Sequence, residues 1–150
     1  MQLSAQKAAT QSEYEMIDQV YKLFSNAYKF KNADMFLHLY TEDCLYLKAN
    51  KETGIIGQSE AVESFAEMFE KGSKEGLKYD IEFRFVNREV MEATAFDAGY
   101  YRMTTISYEG EPSYNYGKFL MILKKGDDSI WRIFADSYSG TTEEIYLSGK

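Results

Sequence analysis

The spacing of apolar residues changes once along the chain, and this change limits the folds that the sequence can adopt. Up to about residue 72 the apolar positions recur every three or four residues, which is typical of amphipathic helices. From residue 79 onward apolar and polar residues alternate, which is typical of strands with one buried face. Helices followed by strands predict an α+β domain with the helices on one side of the sheet. The first helical stripe consists of Tyr14, Ile17, Tyr21, Phe24 and Tyr28.

Three helices are predicted in the first half of the chain. Ser12 and Glu15 have the spacing of a capping box, so the first helix is expected to begin at Ser12. Asn32 is expected to cap a shorter second helix that runs through Tyr40. The third helix is predicted to begin at Ser59 and to end at Gly72, because glycine is a common residue at helix C-termini.

Five strands are predicted, one short and four long. The four long strands are consecutive and joined by short turns, so we expect them to pair antiparallel. Gly99 and Gly117 stand in the middle of two of them, where glycine allows a sharp bend. A bent sheet that curls over the helices would leave a hollow at its open end. The predicted strands are 44–47, 79–86, 93–108, 114–125 and 130–138.

The length of 150 residues is typical of a single domain with its own core. We predict a folded domain over 12–140, preceded by a polar extension at 1–11 and followed by a tail at 141–150. The longest uninterrupted apolar run, 119–123, is far too short to span a bilayer. The first residues lack the apolar segment of a signal peptide, so a cytoplasmic location is expected.

Charge and residue counts argue against several classes of function. Asp and Glu outnumber Lys and Arg by 24 to 17, and the net charge of −7 disfavours nucleic acid and anionic membranes as partners. Cys44 is the one cysteine, so it cannot form an internal disulfide and is expected to be a small buried side chain. His38 is the one histidine, so a metal site is not expected. The segment Gly54–Gly57 lacks the residues of a phosphate-binding loop, and no cofactor is predicted.

Five short segments stand in a characteristic order along residues 12–140. They are Leu39–Leu47, Ile56–Val62, Ala98–Tyr101, Gly117–Phe119 and Trp131–Ser137. Their order resembles the SnoaL-like, ketosteroid-isomerase-like branch of the nuclear transport factor 2-like superfamily, and among its members the bacterial stand-alone domains of the YybH type.

The resemblance implies a cystatin-like α+β fold in which three N-terminal helices pack on a strongly curved, mainly antiparallel sheet. Such a sheet forms a cone-shaped pocket, and members of the superfamily usually form homodimers through the sheet. The resemblance does not imply one function, because this fold hosts isomerases, dehydratases, cyclases and non-catalytic binding or association modules.

Two chemistries that the resemblance suggests are disfavoured by the residues present. Ketosteroid isomerases of this superfamily use an aspartate base on the first strand, and the matching position falls at or near Lys48. A lysine performs that proton transfer at neutral pH only if its pKa is strongly lowered. Dehydratases of the scytalone type use two histidines, whereas this chain has only His38. As a general base, His38 would also need an orienting carboxylate.

Asp136 is the candidate catalytic residue. Strict alternation on the last strand places it on one face with Arg132, Phe134 and Tyr138. In related proteins a polar residue near this point often reaches the pocket. The alternatives are that Asp136 faces water, or that it forms a structural pair with a cation on a neighbouring strand.

Six further side chains are candidates for ligand binding. Tyrosine hydroxyls in an apolar cavity suit a small hydrophobic or mixed-polarity ligand with one or two polar groups. The same tyrosines also fit the alternative of core or dimer-interface packing. Two of the six are the cations that could pair with Asp136 across the sheet. The candidates are Tyr28, Tyr46, Tyr100, Arg102, Tyr116 and Lys118.

Three functions therefore remain open from the sequence. The chain could be an acid/base lyase or isomerase acting on a small apolar ligand, with Asp136 as its base or anchor. It could be a non-catalytic homodimeric binding module, or a protein-association domain. A cavity of about 300 Å³ or more beside Asp136 or Arg102 favours the first two functions, and a cone filled by aromatic side chains favours the third.

Overall fold

The computed structural model describes residues 8–149, which form a five-stranded sheet with most of the helices packed against one face and a short C-terminal helix on the other. The seven residues before this range belong to the predicted N-terminal extension and lie outside the described residues. In chain order the elements are α1 (Gln11–Phe30), a 3-10 turn (Ala33–Met35), α2 (Phe36–Leu39), β1 (Tyr40–Leu47), α3 (Gln58–Lys74), β2 (Lys78–Met91), β3 (Thr94–Ile106), β4 (Pro112–Lys125), β5 (Trp131–Gly140) and α4 (Glu143–Ser148).

The strand order in the sheet is β1-β5-β4-β3-β2. The four long strands pair antiparallel with their neighbours, as predicted. The short strand β1 joins the edge of the sheet parallel to β5. The sheet is strongly curled around the helices, so the predicted α+β class and the mainly antiparallel, curved sheet are confirmed.

The helix α1 begins one residue before the predicted start. Its N-cap is Thr10, whose hydroxyl accepts a hydrogen bond from the Glu13 amide at 3.2 Å. The predicted capping box at Ser12 was therefore wrong, because Ser12 already lies inside the first turn. The apolar stripe was correct from Ile17 to Tyr28, and these side chains pack against the inner face of the sheet.

The predicted ends of the other two helices need correction. Asn32 caps the 3-10 turn by accepting from the Asp34 amide, but Tyr40 is the first residue of β1 and not part of a helix. Gly72 does not end α3, because the helix continues to Lys74. Gly72 instead lies under the Tyr79 ring, where a Cβ atom would come within 2.4 Å of the Tyr79 hydroxyl.

Gly99 on β3 lies close against the backbone of β2. A Cβ atom on Gly99 would lie 2.2 Å from the carbonyl oxygen of Arg84. The pairing register shifts between Phe85 and Asn87, so Val86 forms a bulge directly beside this glycine. A bulge increases the local twist and bend of a strand, which agrees with the predicted role of Gly99 in curving the sheet.

The core is largely aromatic and lies between the helices and the inner face of the sheet. The Phe36 and Phe65 rings stack with centroids 3.9 Å apart, which joins α2 to α3. Cys44 is buried, as predicted, and so is Trp131. Within residues 8–149, no helix has both the length and the hydropathy needed to cross a membrane.

The predicted C-terminal tail contains the short helix α4. Thr142 caps it by accepting from the Ile145 amide, and Tyr146 is its buried residue. Arg84 on β2 donates to the carbonyl groups of Tyr146 and Leu147. These contacts hold α4 against the outer face of the sheet, the face that points away from the other helices.

Candidate functional site

Two carboxylates are buried among residues 8–149, Asp97 and Asp136. They lie in the same cross-strand row on the inner face of the sheet, with Met121 between them. Asp97 accepts two hydrogen bonds from Arg88, at 2.7 Å from Nε and 3.0 Å from Nη2. Arg88 also contacts Asp18 on α1 at 2.6 Å. Asp97 is therefore part of a structural ion pair that joins the sheet to α1.

Asp136 lies in a different electrostatic environment. Its Oδ2 atom accepts a hydrogen bond from the Tyr40 hydroxyl at 2.5 Å. Within residues 8–149, no Lys, Arg or His forms an ion pair with it. Burial raises the pKa of Asp136 from its ordinary value of 3.8 to about 6, although the hydrogen bond from Tyr40 lowers it somewhat. Asp136 is thus a carboxyl group whose charge changes close to neutral pH.

A bulge on β5 brings Asp136 to the inner face. Leu123 pairs with Ile133 whereas Ile122 pairs with Ala135, so Phe134 is the extra residue. The predicted strict alternation grouped Asp136 with Arg132 and Phe134, and this grouping was wrong. After the bulge Asp136 faces the same side as Ile133, because the extra residue reverses the alternation.

Asp136 lines a cavity of about 160 Å³ between α1, α3 and the inner face of the sheet. A cavity of about 150 Å³ is enough to hold a benzene molecule. The cavity has about half of the 300 Å³ that we took as the lower limit for a ligand-binding pocket. Aromatic side chains therefore narrow the cone but do not fill it. The lining residues are Phe24, Tyr28, Tyr46, Met68, Ile81, Phe83, Tyr101, Met103, Phe119, Met121, Asp136 and Tyr138.

Two of the predicted tyrosines, Tyr28 and Tyr46, line this cavity together with Asp136. Burial raises the pKa of both phenols well above the ordinary value, so they stay protonated at neutral pH. The hydroxyl groups of Tyr46 and Tyr138 lie 3.5 Å apart. The cavity therefore offers neutral hydroxyl groups beside a single carboxyl group.

The other four predicted ligand-binding residues lie on the outer face of the sheet. They alternate with the inward-facing Tyr101 and Phe119, and this alternation turns them away from the cavity. None of them pairs with Asp136, whose neighbour on β4 is Met121. These four residues are Tyr100, Arg102, Tyr116 and Lys118.

The four outer residues have partners of their own. Arg102 Nη2 contacts Glu82 Oε2 at 2.6 Å, and Tyr116 donates to Glu143 at 3.2 Å. Tyr100 and Lys118 are cross-strand neighbours and line a separate groove of about 390 Å³. The predicted ion pair between Asp136 and Arg102 or Lys118 is therefore not formed.

Comparison with solved structures shows what this arrangement resembles. A nuclear transport factor 2-like superfamily protein from Salmonella enterica matches with a TM-score of 0.71 and 15% identity, over 90% of this chain and 95% of that one. A ketosteroid isomerase-like protein from Erwinia carotovora matches with a TM-score of 0.69 and 16% identity, over 89% and 99%. This chain has the nuclear transport factor 2-like fold. No family model and no curated protein sequence matches it.

A third solved structure widens the range of functions found on this fold. A Xanthomonas campestris protein named for the calcium/calmodulin-dependent protein kinase II association domain matches with a TM-score of 0.68 and 19% identity, over 95% of this chain and 99% of that one. At such identities the likeness concerns the fold and not the activity. The closer resemblance to SnoaL-like proteins stays a prediction.

Lys48, the position at which the resemblance to ketosteroid isomerases would place a catalytic base, has a hydrogen-bond partner outside the cavity. Lys48 donates to the Ser64 hydroxyl on α3 at 2.8 Å and does not line the Asp136 cavity. His38 lines a different groove, of about 500 Å³, between α1, α2 and the start of β5. Within residues 8–149, no three His, Cys, Asp or Glu side chains are grouped so that they could hold a metal ion.

Several residues around Asp136 were not identified from the sequence. Tyr40 was assigned to a helix, so its hydrogen bond to Asp136 across the sheet edge was not expected. Tyr100 was predicted to face the cavity, whereas its neighbour Tyr101 does so. Adjacent strand residues point to opposite faces, so an error of one position selects the wrong face. Tyr101 packs on Gly117, where a Cβ atom would meet the Tyr101 ring within 2.2 Å. Gly117 could have indicated this contact from the sequence, because a glycine in a strand leaves space for an aromatic ring of the neighbouring strand.

Proposed function

We propose that the cavity around Asp136 binds a small, largely apolar ligand with one or two polar groups, and that Asp136 exchanges a proton with it. The chain would then act as an acid/base lyase or isomerase. The observation that carries this proposal is a buried carboxyl group at the wall of a cavity, which among residues 8–149 has a phenol but no cation as its partner. Structural carboxylates are usually paired with a cation, as Asp97 is.

The protonation behaviour of Asp136 suits this role. A general acid or base is most effective when its pKa lies near the working pH. The pKa of Asp136 is raised to about 6, so at pH 7 most molecules hold it as a carboxylate ready to accept a proton. Tyr28 and Tyr46 supply neutral hydroxyl groups that can hold a polar group of the ligand.

The cavity limits the size of the ligand. About 160 Å³ accommodates one ring or a branched group of similar bulk, but not a fused-ring compound. The aromatic lining excludes water from the bound ligand, which strengthens the electrostatic effect of the carboxylate.

A small ring ketone is a suitable test substrate, because it fits the cavity and carries hydrogens that a carboxylate base can remove. Cyclohexanone in D2O, followed by proton NMR, reports exchange of the hydrogens next to its carbonyl group. We expect the protein to accelerate this exchange, and the rate to rise with pH and level off above about 6, as Asp136 ionises. Asp136→Asn should remove the acceleration, whereas Asp43→Asn, the same change at an exposed position on β1, should not. Undiminished exchange in Asp136→Asn rules out Asp136 as the base.

A second candidate is homodimerisation through the outer face of the sheet, in a binding or protein-association module. It is supported by two exposed apolar side chains on that face, Val86 at 55% and Leu120 at 48% exposure. Both line the groove of about 390 Å³ that also contains Tyr100 and Lys118. Exposed apolar groups that lie together on a sheet are typical of surfaces that bind a partner.

A further inference from the structure

One oxygen atom of the Asp136 carboxyl group has no hydrogen-bond donor among the residues that the structure describes. Oδ2 accepts from Tyr40, but among the described residues no side chain or amide donates to Oδ1. Asp97 shows what a completed pair looks like in the same sheet, with both of its oxygens bound by one guanidinium group. Burial of a carboxylate is costly unless it is paired. Within residues 8–149, Asp136 therefore lacks a positively charged partner.

The rest of the lining is well suited to a positive charge. Seven of the twelve lining residues are aromatic and three are methionines. Aromatic rings attract organic cations, most strongly where water is excluded. Among the described residues, no lysine, arginine or histidine lines the cavity. The chain as a whole carries a net charge of −7, which raises the local concentration of cations.

We propose that the ligand of this cavity is a small organic cation, an ammonium group no bulkier than about one ring, whose charge lies against Asp136. This inference rests on the proposed function, because it names the ligand class of the same cavity. The ammonium group supplies the partner that the carboxylate lacks, while its alkyl groups pack against the aromatic rings. An apolar ligand of equal size gains only the second of these contacts.

The affinity for a cation is expected to depend on pH through Asp136. The ammonium group pairs with the ionised carboxylate, so its affinity should fall about tenfold per pH unit below pH 6. Tyr138 also lines the cavity. Six further titratable groups near Asp136 do not change charge in that range, because burial raises the pKa of each of the six above its ordinary value. They are Tyr21 and Tyr28 on α1, Tyr40, Cys44 and Tyr46 on β1, and Tyr101 on β3.

Tetramethylammonium and tert-butyl alcohol form a matched pair of probes, because both are compact and branched but only one is charged. Binding of each is measured by calorimetry or ligand-observed NMR at pH 7.5 and pH 5. At pH 7.5 we expect tetramethylammonium to bind at least about tenfold more tightly, a difference of one ion-pair contact. At pH 5 most of this preference should disappear.

Two variants identify the source of the preference. Asp136→Asn should abolish it, while Asp43→Asn, which removes the same charge from an exposed position, should retain it. The thermal melt of each variant shows whether it is folded. Equal binding of the two probes, or a preference that survives Asp136→Asn, overturns the cation inference but leaves the proposed function intact. If neither probe binds the folded wild-type protein, both the inference and the proposed function are contradicted.

Discussion

At the scale of single residues, the contrast between Asp97 and Asp136 shows how one chain uses two buried carboxylates differently. Both are almost fully buried on the same row of the sheet. Asp97 is neutralised by Arg88, so its burial contributes to a fixed link between the sheet and α1. Among the described residues Asp136 has the Tyr40 hydroxyl as its one side-chain partner, and burial raises its pKa. A raised pKa means that the charged form of Asp136 opposes folding.

This opposition predicts how stability depends on pH. The folded-state pKa of about 6 lies above the ordinary value of 3.8, so the contribution of Asp136 is fully present below pH 4 and is lost as pH rises through 6. Asp136→Asn should remove this loss and stabilise the protein at pH 7, by up to about 3 kcal/mol. Urea unfolding of both proteins at pH 4, 5, 6 and 7 measures the difference.

The expected result is a stability difference between Asp136→Asn and wild type that grows between pH 4 and 6 and is constant above. Asp43→Asn provides the comparison, because that carboxylate is exposed and its removal should change stability by less than about 0.5 kcal/mol. A difference that is the same at every pH would show that Asp136 does not titrate as the burial implies.

The residues of the site were only partly predictable from the sequence. Asp136, Tyr28 and Tyr46 could be chosen because polar groups within aromatic segments are unusual, and all three line the cavity. Tyr100 was chosen for its hydroxyl group and Lys118 as a cation that could pair with Asp136, but both face outward. Residue type indicates which chemistry a side chain can perform. The face of the sheet on which it lies depends on the strand register, and one inserted residue exchanges the two faces.

At the scale of secondary-structure elements, bulges on β2 and β5 determine which side chains face the core. The bulge at Val86 lies beside Gly99, and the bulge at Phe134 turns Asp136 inward. The helices and strands themselves followed from hydrophobic period, since each has one buried face. The Phe134 bulge left no comparable signal, because Phe134 is an ordinary strand residue whose ring packs under the Lys124 ammonium group on the outer face.

The close approach at Gly99 predicts that β2 and β3 cannot accept a side chain there. Gly99→Ala would place a methyl group 2.2 Å from the Arg84 carbonyl oxygen, and backbone atoms cannot move aside as a side-chain end can. We expect a loss of about 2 kcal/mol or more in the free energy of unfolding. Gly140→Ala is the control, because a Cβ atom at Gly140 meets nothing within 4 Å. Equal stability of the two variants, measured by urea unfolding, would contradict this account of the bend.

At the scale of the whole molecule, the fold could be predicted and the function could not, for one physical reason. The fold follows from the order of helices and strands, which the apolar pattern records along the entire chain. The function depends on a cavity of about 160 Å³ whose shape is set by the packing of side chains from α1, α3, β1 and the other strands. Such packing involves contacts between residues far apart in sequence, which a pattern read along the chain does not contain.

The outer face of the sheet has an exposed apolar region that could bind a second copy of the chain. The helix α4 covers the part of this face around Tyr116, whose ring lies 5.1 Å from that of Tyr146. Val86 and Leu120 remain exposed beside it. If two copies associate through this face, Leu120 becomes buried between them, because it points directly away from the core.

A charge at Leu120 should then prevent association. We expect the wild-type protein to have twice the chain mass of 17.4 kDa by light scattering or sedimentation, and Leu120→Glu to have 17.4 kDa. Ile55→Glu makes the same change at a residue that is 63% exposed outside the sheet, and it should leave the dimer intact. A monomeric wild-type protein would contradict the homodimer. A dimeric Leu120→Glu variant would show that the interface does not include the outer face around Leu120. Because the outer face is separated from Asp136 by the thickness of the sheet, Leu120→Glu should retain the probe binding proposed for the cavity, so association and ligand binding can be tested independently.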